Sequence, residues 1–142
     1  MAEHERTGLF AVLHASGVLE GRVEAQLADA GLSLAKLAAL SQLSRAGESL
    51  PLGQLAERLS CVKSNVTQLV DRLEADGLVS RAGDPNDRRS RLAVMTDAGR
   101  TAFTRGSAIL RQAERELFGP LSGDEATQLH QLLAKLTNLD RA

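Results

Sequence analysis

The sequence predicts a mainly α chain interrupted by one small β-hairpin. Three observations carry that prediction. Apolar residues recur at helical spacing over most of the 142 residues. A polar, arginine-dense turn, Asp84-Pro85-Asn86-Asp87-Arg88-Arg89, lies between two short apolar runs of strand type. Two short amphipathic helical segments joined by a tight turn, Leu52 to Gly77, come immediately before it.

Taken in order, residues from about Glu5 to Ala30 read as a helix. Val12, Leu19, Val23 and Leu27 form its stripe, with Leu9 and Leu13 alongside. Gly8, Gly17 and Gly21 each cost about 1 kcal/mol against alanine; their repetition marks either close helix packing or tolerated positions. Gly31 ends this helix and Ser33 caps the next, whose apolar face is Leu37, Leu40 and Leu43. Gly47 stops it. Ser49-Leu50-Pro51 has room only for a strand stub, and Pro51 suits the opening of a helix to Leu59 with Leu52, Leu55, Ala56 and Leu59 inward. Ser60-Cys61-Val62 is a tight turn. The following helix carries Val62, Val66, Leu69, Val70 and Leu73 on one side, and Gly77 caps its end. Leu78 to Arg81 is a strand, Gly83 to Asn86 a turn, and Arg91 to Met95 the returning strand. Thr96 starts a helix bearing Ala102, Phe103, Ile109, Leu110, Ala113 and Leu117, which Pro120 breaks. Ser122 and Glu125 form a capping box for a last helix with Leu129, Leu132, Leu133, Leu136 and Leu139. The leucine-rich terminal helices are expected to pack with each other and against a second copy of the chain.

The composition narrows the classes of function. Hydrophobic residues at 43% and charged ones at 25% are ordinary for a soluble globular chain. No apolar run approaches the length of a bilayer span. The N-terminus lacks the basic-then-apolar order of a signal peptide, so the expected location is cytoplasmic. A lone cysteine, Cys61, excludes an internal disulfide framework. The formal net charge of -1 exerts no global pull on nucleic acid, so a DNA binder must segregate its charge. Arg58, Lys63, Arg72, Arg81, Arg88, Arg89 and Arg91 cluster in sequence, but Asp71, Glu74, Asp76, Asp84 and Asp87 lie among them. With no Trp or Tyr and only Phe10, Phe103 and Phe118, stacking on single strands is disfavoured.

With the stripe of the Val62–Leu73 segment turned to the core, Lys63, Ser64, Asn65, Thr67, Gln68, Asp71 and Arg72 face outward. Asn65 and Gln68 can each make bidentate bonds to adenine, and Ser64 can meet several base edges. Lys63, Thr67 and Arg72 can hold phosphates, which fixes register without reading sequence. The competing reading is an ordinary solvated helix face.

Val66-Thr67-Gln68-Leu69-Val70-Asp71-Arg72-Leu73-Glu74, then Gly77-Leu78-Val79 and Arg81, resembles the recognition helix and first wing strand of the MarR family of dimeric winged-helix regulators. Asp84 to Arg89 resembles the wing tip, and Met95-Thr96-Asp97-Ala98-Gly99 resembles the family's Leu-Thr-x-x-Gly, with Met for Leu. The resemblance extends over the whole chain. It implies one MarR-like domain over 1–142, a winged-helix part at about 33–96, and dimerisation helices at about 5–30 and 97–140. It further implies a two-fold dimer on double-stranded DNA, with a recognition helix in each major groove and a wing arginine in the flanking minor groove. Arg88 and Arg89 compete for that last role; Arg88 is favoured, with Arg89 pairing to Asp87. One departure stands out. Val62 occupies a position that Ser or Thr commonly fills in the family, and Lys63 places positive charge at the positive end of a helix. A docked phosphate would offset both, unless Ser60 or Ser64 caps instead.

Other chemistry is sparse. Cys61 beside Lys63 suits a lowered thiol pKa, but a buried small residue is the simpler reading. His4, His14 and His130 form no metal-ligand spacing, so neither a metal nor a cofactor is expected. His14 lies on the first helix, which in the family helps line a ligand pocket, and is the candidate contact for a small aromatic or phenolic ligand. No nucleophile-plus-base arrangement points to an enzyme. The expected function is a homodimeric, sequence-specific DNA-binding regulator, a repressor released by ligand where the first, second and fifth helices meet. The alternative is a winged-helix protein-interaction module without DNA binding.

Overall fold

Six helices and three strands are seen among the residues that the computed structural model describes, 8–59 and 65–138. They are α1 (Leu9–Ala28), α2 (Leu34–Arg45), β1 (Ser49–Pro51), α3 (Leu52–Arg58), α4 (Val66–Ala75), β2 (Val79–Asp84), β3 (Asp87–Met95), α5 (Asp97–Phe118) and α6 (Gly123–Thr137). The helix boundaries follow local chemistry. Ser33 accepts the Lys36 N–H at 3.1 Å and opens α2. Thr96 accepts the Gly99 N–H at 3.0 Å and opens α5. Ser122 and Glu125 exchange bonds at 3.1 and 2.9 Å, the reciprocal capping box that starts α6. At the end of α4, Gly77 takes φ 75°. Its N–H reaches Glu74 O at 3.0 Å while the Leu78 N–H reaches Leu73 O at 2.9 Å, which turns the chain straight into β2.

The three strands form an antiparallel sheet in the order β1-β3-β2. The hairpin is longer than the sequence suggests. Gly83 and Asp84 belong to β2, and β3 begins at Asp87, so only Pro85 and Asn86 turn. The tip is built by aspartates: Asp84 accepts the Asn86 N–H at 2.9 Å. The register slips there. Gly83 faces Arg91 but Asp84 faces Asp87, which leaves Arg88, Arg89 and Ser90 as a bulge without partners on β2.

Leu27, Leu40, Leu43, Leu55, Val70 and Leu73 are the largest fully buried side chains, and they join α1, α2, α3 and α4 in one core. Burying each is worth about 1.5–3 kcal/mol. Val79, Ala93 and Met95 close it from the sheet. Ala56, expected inward, is exposed, because so short a helix presents only Leu55, with Leu52 and Leu59 at its ends. The long α5 approaches its neighbours through glycine. A Cβ at Gly106 would lie 2.7 Å from Leu32 Cδ1 and 2.8 Å from Leu37 Cδ1. By contrast, among the described residues Gly17 and Gly21 have nothing within 4 Å, so the close packing considered for them is not made by those residues.

The terminal helices also depart from expectation. Within the chain, α1 packs on α5 through its C-terminal half, where Val23 and Leu27 are buried. No residue of α6 is buried. Leu132 and Leu136 on α6 are 59% and 56% exposed, and Leu9 and Phe10 at the start of α1 are 69% and 71% exposed. Among the described residues, α1 and α6 do not cover these apolar side chains of each other. Leu139 lies outside the described residues.

Candidate nucleic-acid interface

The exposed face of α4 and the bulged wing tip are the chain's candidate surface for DNA. α4 turns Leu69, Val70 and Leu73 into the core. Thr67, Gln68, Asp71 and Arg72 are exposed on it, as expected. Lys63, Ser64, Val62 and Cys61 lie outside the described residues. Asn65 needs a correction. It is not on the helix face but is its N-cap, with Oδ1 accepting the Gln68 N–H at 3.3 Å. The described helix therefore opens at Asn65; the candidates Val62, Ser60 and Ser64 lie outside the described residues. Asn is among the best N-cap residues, and this bond engages the oxygen that a bidentate contact with adenine would use.

The mixed charge of this region is resolved by pairing. Arg81 on β2 donates to Asp71 at 2.6 Å and to Glu74 at 2.9 Å, and its backbone N–H donates to Glu74 at 3.2 Å. The Asp71 hydrogen bond, followed by the fields of both carboxylates, raises the Arg81 pKa above its ordinary value. Lys36 on α2 pairs with Asp76 at 2.8 Å. Asp84 and Asp87 point back to backbone N–H groups of the tip. The acidic groups in this stretch are thus occupied by internal partners, although Asp71, Glu74 and Asp76 stay exposed. Among the described residues, Arg72, Arg88, Arg89 and Arg91 form no ion pair. Sequence alone pairs Arg89 with Asp87 through side chains; instead the Asp87 carboxylate accepts the Arg89 backbone N–H at 3.0 Å. Both wing guanidinium groups are left exposed.

Two features are not visible in the sequence. Ser33, the N-cap of α2, and Lys36 of α2 line a small cleft with Gln68 and Arg72 of α4, which places a second helix beside the reading face. The Ser33 cap is legible from residue type, but its adjacency to α4 is tertiary. A second cleft of about 340 Å³ lies between α2 and α5. Its walls include Leu37, Phe103 and Leu110, with Ser41, Ser107, Arg111 and Glu114 as polar groups. This is where the second and fifth helices meet, but no residue of α1 lines it, in contrast to the site expected among the first, second and fifth helices. His14 does not line it; the residue is exposed on the free half of α1.

A helix-turn-helix followed by an arginine-tipped hairpin now stands beside the comparisons with known proteins. The sequence profile of the MarR family matches residues 32–90. The chain is 36% identical over 134 residues to the transcriptional activatory protein BadR of Rhodopseudomonas palustris, covering 92% of this chain and 73% of BadR. The chain belongs to the MarR family. A probable transcriptional regulator from Pseudomonas aeruginosa superposes with TM-score 0.76 at 30% identity, over 92% of this chain and 97% of that one. A mutant MarR from E. coli complexed with operator DNA superposes with TM-score 0.78 at 25% identity, over 93% and 95% of the two chains. This MarR-family chain is a DNA-binding transcriptional regulator of winged-helix fold, and the relatives it matches are transcriptional regulators. The alternative of an interaction module without DNA binding gives way to that assignment. No described helix is long and apolar enough to cross a membrane.

Proposed function

We propose that the chain acts as a homodimer on a pseudo-palindromic operator in the cytoplasm, reading sequence with α4 and gripping the backbone with its wings. The observation that carries this reading is the pairing of Asp71, Glu74 and Asp76 with Arg81 and Lys36, which leaves Arg72, Arg88 and Arg89 available to phosphate or groove. Gln68 is the base-reading candidate. Thr67 and Arg72 hold phosphates, and Lys63 and Ser64, which precede them in sequence, are further candidates for DNA contact. Arg88 enters the minor groove, its reach supported by the bulge at the tip. Dimerisation is supported by the exposed leucines of α6 and the exposed start of α1, which a second copy would cover. We expect an interface above about 2,000 Å² in total, the range of obligate pairs. Residues 1–142 then work as one unit, with the winged-helix part held between dimerisation helices.

The α2–α5 cleft supports an effector site. Its volume of about 340 Å³ falls in the small-ligand range. Apolar walls suit an aromatic ring, and Arg111 suits its carboxylate or phenolate. A ligand there would move α5 against the winged-helix part and lower DNA affinity, so the protein would act as a repressor. Because a bound dimer blocks or recruits polymerase according to operator position, BadR's name as an activator is compatible with the same mechanism.

The test is selection of bound duplexes from random DNA, followed by salt titration on the selected operator. The double variant Arg88→Ala/Arg89→Ala should bind more weakly, with the salt slope falling by about 0.9 for each phosphate that is no longer neutralised. A slope and affinity equal to wild type would remove the wing from the interface.

A further inference from the structure

The start of α5 is coupled to the winged-helix part at two points, apart from the packing of its middle on α2 through Gly106. The first is the junction between the end of α4 and the start of α5. Thr96 Oγ1 donates to Gly77 O at 2.6 Å, and the Thr96 N–H donates to Leu78 O at 3.1 Å. Gly99 sits so close that a Cβ there would lie 2.1 Å from Leu78 O. One point of attachment leaves a helix free to pivot about it.

The second point lies on the other side of the sheet, at Glu48, between α2 and β1. Among the described residues Glu48 is the non-glycine residue with positive φ, 82°. It follows Gly47, which also has positive φ, so the chain makes two successive left-handed steps to leave α2. A side chain at such a position is strained, and glycine or asparagine would be easier there. Glu48 is held at both ends. Its N–H donates to Leu43 O at 2.7 Å, and its carbonyl accepts the Met95 N–H at 2.8 Å. Its carboxylate pairs with Arg100, one turn into α5, and Arg100 also pairs with Asp97. The Glu48 backbone is thus tied to the β3 terminus while its side chain is tied to α5.

We infer that Glu48 and Arg100 form a latch that fixes the angle between the winged-helix part and α5, and so sets the separation of the two recognition helices in the dimer. Thr96 and Gly99 provide the pivot. The latch stops rotation about it, because Arg100, next to Gly99 on α5, holds the element that leads into β1, at the opposite edge of the sheet from β2. The strain at Glu48 then has a use: a glycine would relax the backbone but could not reach α5. Both residues are positioning residues, since neither lies on the exposed face of α4 or in the wing. The inference rests on the dimeric DNA-binding reading proposed above.

The experiment measures affinity for operators whose half-sites are one base pair closer or farther than in the selected sequence. Each such step shifts and rotates one half-site by about a tenth of a helical turn. Wild type should prefer the selected spacing by about tenfold, within the usual span of coupling between sites. Glu48→Gln and Arg100→Gln should each reduce that preference to about threefold or less, while keeping the selected half-site sequence. Arg100→Lys keeps the charge and should retain most of the preference. Glu48→Gly should lose the preference although its unfolding midpoint rises, which separates positioning from stability. A wild-type spacing preference in Glu48→Gln and Glu48→Gly would overturn the latch. A wild-type protein that selects no DNA would overturn the functional reading instead, so the two failures are distinct.

Discussion

Adding one methyl group at Gly99 should destabilise the protein more than adding it at any other helical glycine, because of what the methyl meets. In Gly99→Ala the new Cβ would lie 2.1 Å from Leu78 O and 3.0 Å from Met95 Cγ. Carbon and oxygen approach no closer than about 3.3 Å even in weak hydrogen-bonded contacts. Roughly 1 Å of relief must therefore come from moving α5 or the Leu78 peptide. That carbonyl is fixed by the Thr96 N–H, so the movement breaks a backbone bond as well. Overpacking costs about 1–3 kcal/mol and the broken bond about 1, against a helix-propensity gain of at most about 1. The net loss is about 1–3 kcal/mol. Gly106→Ala meets only the terminal methyls of Leu32 and Leu37, which can turn aside, so its net cost should fall to about 0–2 kcal/mol. Gly17→Ala enters open space and should stabilise by about 0.5–1 kcal/mol; a loss there would instead place Gly17 against the partner. Urea unfolding at one fixed chain concentration compares the three, because dimer stability varies with concentration. If Gly99→Ala unfolds within about 0.5 kcal/mol of wild type, the inference that the Leu78 carbonyl is immovable is wrong.

Three further outcomes are expected. Asn65→Ala should cost about 1 kcal/mol of stability through the missing cap and leave base preference unchanged, whereas Gln68→Ala should relax one base pair per half-site by about 1–3 kcal/mol; binding-site selection on both variants tells capping from reading. Leu132→Glu together with Leu136→Glu should give a monomer in light scattering that no longer binds operator, and an intact dimer would remove α6 from the interface. Arg81→Met should loosen α4 from β2, and its effect on stability should be constant from about pH 6 to pH 9. The sign follows from the raised Arg81 pKa: a cation whose folded pKa lies above its unfolded value contributes fully below the unfolded value and loses that contribution only as pH rises through the folded one. Unfolding measured at both ends of that range checks it, and a loss that shrinks at the alkaline end would contradict the assignment.

Local chemistry determined most of the elements. Ser33, Thr96 and Ser122 act within one turn of where they stand, so their caps are legible from residue type and spacing. Gly77 ends α4 for a reason that needs only its own φ. The stripe of Leu69, Val70 and Leu73 fixes which side of α4 faces inward, and therefore that Gln68 and Arg72 face out. Asn65 departs from its expected place because face assignment assumes a helix already under way, whereas a cap competes for the same amide.

What only the tertiary structure decided was partnership between distant residues. The charge count of the reading region is ambiguous because a sum ignores direction. Arg81 and Lys36 settle it by pairing with Asp71, Glu74 and Asp76, across sequence gaps that no local rule spans. Asp87 could meet Arg89 through its side chain or its backbone, and the slipped register of the hairpin selected the backbone. The need for glycine at Gly99 and Gly106 depends on the surfaces that α5 meets. The leucines of α6 announce an apolar face from the sequence alone, but only the fold left that face uncovered, because α5 had already been taken by α1 and α2.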